Sequence, residues 1–300
     1  KNKLISDIGE NLDKNRQRIL DANKIDFKNA EIKSLNSASL DRLLLNKERM
    51  DAMIASIHSV VGLEDPIGEV IEKWERPNGL LISKVSVPLG VIGIIYESRP
   101  NVTSDAAVLC LKSGNAVILR GGSESINTNI AIHESISDAL IKNEIDANTV
   151  QLVKDTDRKA VDMMLSGLDG AIDILVPRGG KNLVQKVKSE ARVPIIGHLE
   201  GICHVYIQNS SNLEEAIKIV INSKMRRTGI CGAAETVLID RDCIGSHLEA
   251  IIKALKESGC EIRGDDEICK FDTDIIEPTE EDWVTEYLDS VISIKVVEDI

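Results

Sequence analysis

Apolar positions in the first sixty residues recur at helical spacing: Leu4, Ile5, Ile8, Leu12, Ile19 and Leu20, then Leu40, Leu43, Leu44, Met50, Met53, Ile54 and Ile57. Such a stripe predicts amphipathic helices with one face turned to a core. Pro66, Gly68, Pro77 and Gly79 then punctuate a loop region. From residue 80 the period changes. Residues 80–87, closed by Pro88, read as an exposed hairpin strand, and Val91-Ile-Gly-Ile-Ile-Tyr96 as a buried strand too short to be a helix. A helix at 103–112, a strand at 116–119, a helix at 125–142 and a strand at 150–153 follow. A helix at 157–166, a strand at 172–176 and a helix at 181–189 complete the alternation. Continuously apolar strands alternating with amphipathic helices describe a parallel sheet covered on both faces.

His204-Val-Tyr-Ile207 closes this half, giving a first domain over 1–207. A helix at 213–225, a strand at 236–239 and a helix at 246–258 open a second domain over 208–300. The chain stops just after a strand-like run at 291–297, so this second domain reads as incomplete at its C-terminus. The fold class is α/β, a doubly wound parallel sheet followed by a smaller α/β unit.

Composition narrows the function classes. Aromatic residues make up only 2% of the chain, which removes the stacking platforms that single-stranded nucleic acid uses. The net charge of −13 argues against binding a phosphate backbone over a broad face. An anionic ligand needs instead a local basic pocket. No apolar run reaches membrane-spanning length. The six cysteines contain no Cys-x-x-Cys pair and are too sparse for a disulfide scaffold, which suits a reducing cytosol.

The Gly-x-Gly-x-x-Gly fingerprint is absent, because no two glycines are separated by a single residue. Two other strand-to-helix junctions suit phosphate: Leu119-Arg-Gly-Gly-Ser-Glu124 and Val176-Pro-Arg-Gly-Gly-Lys-Asn182. Glycines let backbone approach a ligand, a helix N-terminus favours an anion, and arginine adds a full charge. One such junction is as readily a tight turn; two on neighbouring strands favour a phosphate-bearing ligand.

Cys231 lies in Lys224-Met-Arg-Arg-Thr-Gly-Ile-Cys-Gly-Ala-Ala-Glu-Thr236. Three upstream cations favour a thiolate, and Gly229 and Gly232 leave room for a substrate. The other five cysteines read as small buried hydrophobes. In Tyr96-Glu-Ser-Arg-Pro-Asn101, Asn101 can donate to an oxyanion and Arg99 can pair with an anionic substrate, although a helix cap and turn explain the segment equally well. Glu200, between glycine-flanked strand-like runs, is a candidate base or an ordinary surface carboxylate. His198, Cys203 and His204 lack a fourth partner for zinc.

At these segments the chain resembles the gamma-glutamyl phosphate reductase branch of the aldehyde dehydrogenase superfamily. The resemblance rests on Arg76-Pro-Asn-Gly79, the long stretches 87–103 and 111–124, Leu175-Val-Pro-Arg-Gly-Gly180, Gly197-His-Leu-Glu-Gly-Ile-Cys-His204, Arg227-Thr-Gly-Ile-Cys231 and Trp283-Val-Thr-Glu-Tyr-Leu288. It implies an aldehyde dehydrogenase-like fold, with a Rossmann-like cofactor domain and an α/β catalytic domain. It also implies NADPH-dependent reduction of L-γ-glutamyl 5-phosphate to L-glutamate 5-semialdehyde in proline biosynthesis. Carried over by position, Cys231 is the nucleophile, Asn101 the oxyanion donor and Glu200 lies near the general-base glutamate. Arg120 and Ser123 fall at the adenosine ribose, where a serine leaves space for a 2′-phosphate. Gly179 and Gly180 fall at the pyrophosphate loop, and Glu286 at the nicotinamide ribose. Arg99, or Arg227 and its neighbouring cations, would clamp the leaving phosphate. Thr228 and Gly232 stand where many members carry proline and asparagine.

The resemblance further implies a cytoplasmic homo-oligomer using the 80–87 hairpin for subunit contacts, with glutamate 5-kinase as a possible partner and no nucleic-acid or membrane partner. The competing readings are an aldehyde-oxidising or CoA-acylating enzyme on the same scaffold, or a non-catalytic dinucleotide-binding module.

Overall fold

Four helices precede the first strand: α1 (Asn2–Lys14), α2 (Arg16–Ile32), α3 (Ser37–Leu43) and α4 (Lys47–Val61). This computed structural model describes residues 1–97 and 99–298, so Ser98 of the 96–101 segment lies outside the described residues, as do Asp299 and Ile300. The apolar stripes behave as their spacing predicts. Ile5, Ile8 and Leu12 of α1 and Met50, Met53 and Ile57 of α4 are buried together. Asn36 and Asn46 cap α3 and α4, their side chains accepting from the Ser39 and Arg49 backbone N–H groups.

Contacts divide the chain into two units, Lys1–Gly197 and His198–Ile300. In the first, β1 (Val70–Glu75) and β2 (Leu81–Val85) form an antiparallel pair apart from the main sheet. The exposed strand expected at 80–87 is present as β2. Its partner β1 occupies part of what the sequence reads as a loop, because every residue of β1 is exposed and no buried face marks it as a strand.

The main sheet of this unit contains β3 (Val91–Tyr96), β4 (Ala116–Arg120), β5 (Val150–Leu152) and β6 (Ile174–Arg178), all parallel, in the order β5-β4-β3-β6. The crossovers carry α5 (Asn101–Lys112), α6 (Ile126–Lys142) and α7 (Arg158–Leu165), and α8 (Lys181–Glu190) follows β6. Alternation along the strands sorts side chains between two faces. Ile92, Ile94, Tyr96, Val117 and Leu119 join the core made with α1, α4, α5 and α6. Ile95, Ile118 and Leu175 turn the other way, onto Val161, Met164 and Leu165 of α7 and Val187 of α8. Asp26 of α2, 2% exposed, ties the outer helices to this layer. Its carboxylate accepts from the Thr128 backbone N–H at 2.8 Å and the Thr128 hydroxyl at 2.6 Å, near the start of α6.

Chain order reverses at β3, with β4 on one side and β6 on the other. In open α/β sheets that reversal opens a crevice at the carboxyl ends of the strands. The loops leaving β3 and β6 therefore face a ready-made ligand position.

The second unit has its own parallel sheet, β7-β8-β10-β9, from β7 (Cys203–Ile207), β8 (Ala234–Asp240), β9 (Glu261–Gly264) and β10 (Val291–Val297). α9 (Leu213–Met225) links β7 to β8, and α10 (Glu249–Glu257) follows β8. Val220, Val237, Ile239, Ile251, Leu255, Ile292 and Ile294 form its core. The contact boundary precedes the 207/208 boundary read from the sequence, because β7 hydrogen-bonds to β8 and so joins the second sheet rather than closing the first. The helix expected from 246 begins as a π turn at Ile244–Leu248 before α10. No helix among the described residues is long and apolar enough to cross a membrane.

Candidate active site

In the second unit, α9 delivers the chain to the turns at 226–233 that carry Cys231, and β8 takes it away. Cys231 is half-buried and free. Its carbonyl oxygen accepts a hydrogen bond from the Cys203 thiol at 3.4 Å. The 201–203 strand entrance lies so close that a Cβ on Gly201 would stand 2.3 Å from that same carbonyl oxygen. Only glycine allows this approach. Glu200 is exposed, one residue before the contact. Gly201 and Cys203 and the Cys231 loop, far apart in sequence, are therefore neighbours.

The three upstream cations separate into two kinds. Arg226 and Arg227 are exposed, whereas Lys224 is fully buried with its Nζ 2.6 Å from Glu235 Oε2 on β8. The sequence reading grouped Lys224 with the free cations, but its charge is spent on Glu235. Burial raises the Glu235 carboxyl above its usual range, opposed by Lys224 and by the Leu288 backbone N–H.

Glu286 is half-buried in the segment ahead of β10, and its Oε1 is buried without a hydrogen-bond partner. Next to it, Tyr287 is held by hydroxyl contacts to Asp282 Oδ1 at 2.9 Å and Ser293 Oγ at 2.8 Å. Lys224 Nζ stands 5.8 Å from the Tyr287 ring centroid. A Cβ on Gly229 would lie 3.8 Å from the Leu288 carbonyl oxygen, so the cysteine loop passes beside 286–288.

In the first unit, Asn101 is the first residue of α5. Its Nδ2 donates to Asp105 Oδ2 at 2.8 Å, the i,i+4 reach of a helix face. Burial raises the Asp105 carboxyl, opposed by this bond. One Asn101 N–H is thereby engaged and the amide plane is fixed, leaving the second N–H to another acceptor.

The crevice between β3 and β6 is a cavity of about 170 Å³ lined by Arg42, Glu97, Arg99, Arg178, Gly179 and Gly180. It unites Arg99 with the two glycines singled out separately in the sequence, and adds two further arginines. The Gly180 N–H, at the start of α8, already donates to Glu97 Oε2 at 2.9 Å. The cavity thus sets three guanidiniums beside one carboxylate, Glu97, which already occupies the helix-terminal amide. At the end of β4, Arg120 Nη2 donates to the Thr156 carbonyl at 3.1 Å while its Nε is buried without a partner. Ser123 follows, exposed, in a 3-10 turn.

Some of these residues escape sequence reasoning. Arg178 stands in the Arg-Gly-Gly junction and was legible there. Arg42 reaches the cavity from α3 and carries no local signal. Asp105 was within reach of the helical i,i+4 rule, whereas the Lys224–Glu235 pair spans a helix end, a loop and a strand. Among the described residues no group of His, Cys, Asp and Glu could hold a metal ion.

The model of the Aldehyde dehydrogenase family matches residues 16–293. Among the most similar relatives is the gamma-glutamyl phosphate reductase of Mesorhizobium japonicum, 54% identical over 285 residues, which cover 95% of this chain and 67% of that protein. The enzyme of that name from Brucella suis biovar 1 is 52% identical, the match covering all of this chain and 71% of the relative. The crystal structure of gamma-glutamyl phosphate reductase from Thermotoga maritima superposes with a TM-score of 0.91 at 43% identity, over 99% of this chain and 72% of that one. With its fold, its ordered segments and these relatives in agreement, the chain belongs to the aldehyde dehydrogenase family of oxidoreductases, in the gamma-glutamyl phosphate reductase branch.

Proposed function

We propose that this protein carries out NADPH-dependent reduction of L-γ-glutamyl 5-phosphate to L-glutamate 5-semialdehyde, with release of phosphate, through a thioester on Cys231. The observation that carries the reading is the setting of that thiol: half-buried, on a loop flanked by Gly229 and Gly232, with its own carbonyl held by Cys203. A nucleophile needs both an open approach and a fixed base, and this loop supplies both.

In this reading the Cys231 thiolate attacks the acyl carbon of the acyl phosphate. The Cys231 backbone N–H and the Asn101 amide stabilise the tetrahedral oxyanion. For Asn101 the role comes from the family segment; the hydrogen bond to Asp105 supports it by orienting the amide. The carbon–oxygen bond to phosphate then breaks, leaving the acyl group on sulfur. Arg227, exposed beside the loop, offers the leaving anion a counter-charge, and Arg99 is the other candidate. Because phosphate rather than water exchanges the acyl group, Glu200 need not activate water, and a positioning role suits its place next to Gly201.

The residues present fit a phosphorylated dinucleotide. The cavity side formed by Arg42, Arg178, Gly179 and Gly180, with Glu97 bonded to the Gly180 N–H, suits its pyrophosphate, and the unpartnered Arg120 Nε with nearby Ser123 suits a 2′-phosphate. Glu286 would hold the nicotinamide ribose, consistent with its unpartnered Oε1. NADPH, when bound, supplies the hydride that converts the thioester to the aldehyde. The acyl phosphate comes from a kinase acting on glutamate, which makes such a kinase the expected partner.

The test runs the reaction backwards in the full-length protein, following reduction of NADP by glutamate 5-semialdehyde. The proposal expects a strict requirement for inorganic phosphate. Turnover that ignores phosphate would indicate simple aldehyde oxidation, and turnover that needs CoA would indicate an acylating enzyme; either result overturns it.

A further inference from the structure

We propose that Lys224 and Glu235 are positioning residues, a buried ion pair that sets the Cys231 loop against the Glu286–Leu288 segment. The inference rests on the reading of Cys231 as nucleophile and Glu286 as a cofactor contact. Its basis is where the pair sits. Lys224 lies in the last turn of α9 and Glu235 at the start of β8, so their 2.6 Å contact closes the loop 226–233 at its base. The side chains are 0% and 1% exposed.

Two charges withdrawn this far from water are poor devices for stability, because a well-packed apolar pair commonly serves as well or better. What a buried pair supplies that an apolar pair does not is one defined geometry. Here that geometry reaches a second segment. Lys224 Nζ lies 5.8 Å from the Tyr287 ring centroid, and the Leu288 backbone acts on the Glu235 carboxylate. Tyr287 is itself pinned by Asp282 and Ser293, which fixes its neighbour Glu286. Leu288 has φ +53°, a left-handed conformation that a branched residue keeps only when its surroundings impose it. The pair is thus the junction from which both the thiol loop and the Glu286 segment are hung.

The test pairs Lys224→Met with Glu235→Leu in one full-length variant, removing both charges together so that neither is left buried alone. In the folded, cofactor-free protein, amide exchange is expected to quicken in 226–233 and 286–288 while other segments keep their protection. In phosphate-dependent oxidation of glutamate 5-semialdehyde, kcat per alkylatable Cys231 thiol is expected to fall at least about tenfold, since sub-ångström misplacement of reacting groups is costly. KM values should change much less, and deuterium at the reacting carbon should give a larger isotope effect as hydride transfer becomes limiting. A folded variant with normal kcat and normal local exchange overturns the proposal.

Should the double variant not fold, Lys224→Arg and Glu235→Asp keep the charges while changing their reach, and the same loss of kcat is expected. Normal kcat in both would overturn the proposal. Cys231→Ala separates the two levels. If it retains turnover, the functional reading has failed; if it is inactive while the pair variants are normal, only the positioning role has failed.

Discussion

At the residue scale, the site depends on close approach and on satisfied charge. A Cβ at position 201 would stand 2.3 Å from the Cys231 carbonyl oxygen and 3.2 Å from Cys231 Cβ. Gly201→Ala is therefore expected to displace the nucleophile loop, costing about 1–3 kcal/mol of stability and at least about tenfold in kcat. Wild-type kinetics in this variant would show that the approach has no functional weight. Asp282 makes a separable prediction. Burial alone would raise its carboxyl, but Thr279, Tyr287 and Arg263 outweigh that and hold it at about 2, below the usual carboxylate range. Its contribution, about 2 kcal/mol, is complete above pH ~4 and lost as the pH falls through 2. Asp282→Asn should lower stability at neutral pH by about that amount and flatten the decline between pH 4 and 2 in urea unfolding. An unchanged acid slope would contradict the assignment. Cys231 stands out in the sequence because glycines and arginines crowd around it. The Lys224–Glu235 pair was not, since one partner looks like a surface cation and the other like a strand residue until the fold joins them.

At the element scale, long apolar strands and amphipathic helices were readable because each has a buried face with a fixed period. β3 and β10 lie where their apolar runs predict, and α9 spans the predicted 213–225. The hairpin tells the opposite story. β1 has no buried residue and β2 only one partly covered position, so nothing in this chain fixes their faces. Val70, Ile71, Trp74, Leu81 and Val85 are all exposed on this two-stranded pair. Exposed apolar strands of this kind are surfaces for pairing or packing. We propose that this pair forms a contact between copies of the chain, so that Trp74→Glu combined with Leu81→Glu is expected to reduce the mass seen in light scattering. The stability of each folded subunit should change by only about 0.5 kcal/mol per site, as at ordinary surface positions. An unchanged mass would overturn that proposal.

At the scale of the whole molecule, the described residues form two parallel sheets of four strands. The first turns its strand order at β3 and collects arginines and glycines at the carboxyl ends of β3 and β6. The second holds Cys231, the Gly201 approach and the Glu286–Leu288 segment around β7, β8 and the entry to β10. The alternation of strands and helices revealed this architecture, but the domain boundary fell late because β7 gives no sign in sequence of which sheet it joins. We propose that Cys231 performs the chemistry on a scaffold that binds the cofactor independently of it. The most direct measurement compares Cys231→Ala with the native full-length protein, using NADPH fluorescence for binding and phosphate-dependent NADP reduction by glutamate 5-semialdehyde for turnover. Unchanged NADPH affinity and no detectable turnover are expected in the variant. Turnover near the native rate without the Cys231 sulfur would contradict it.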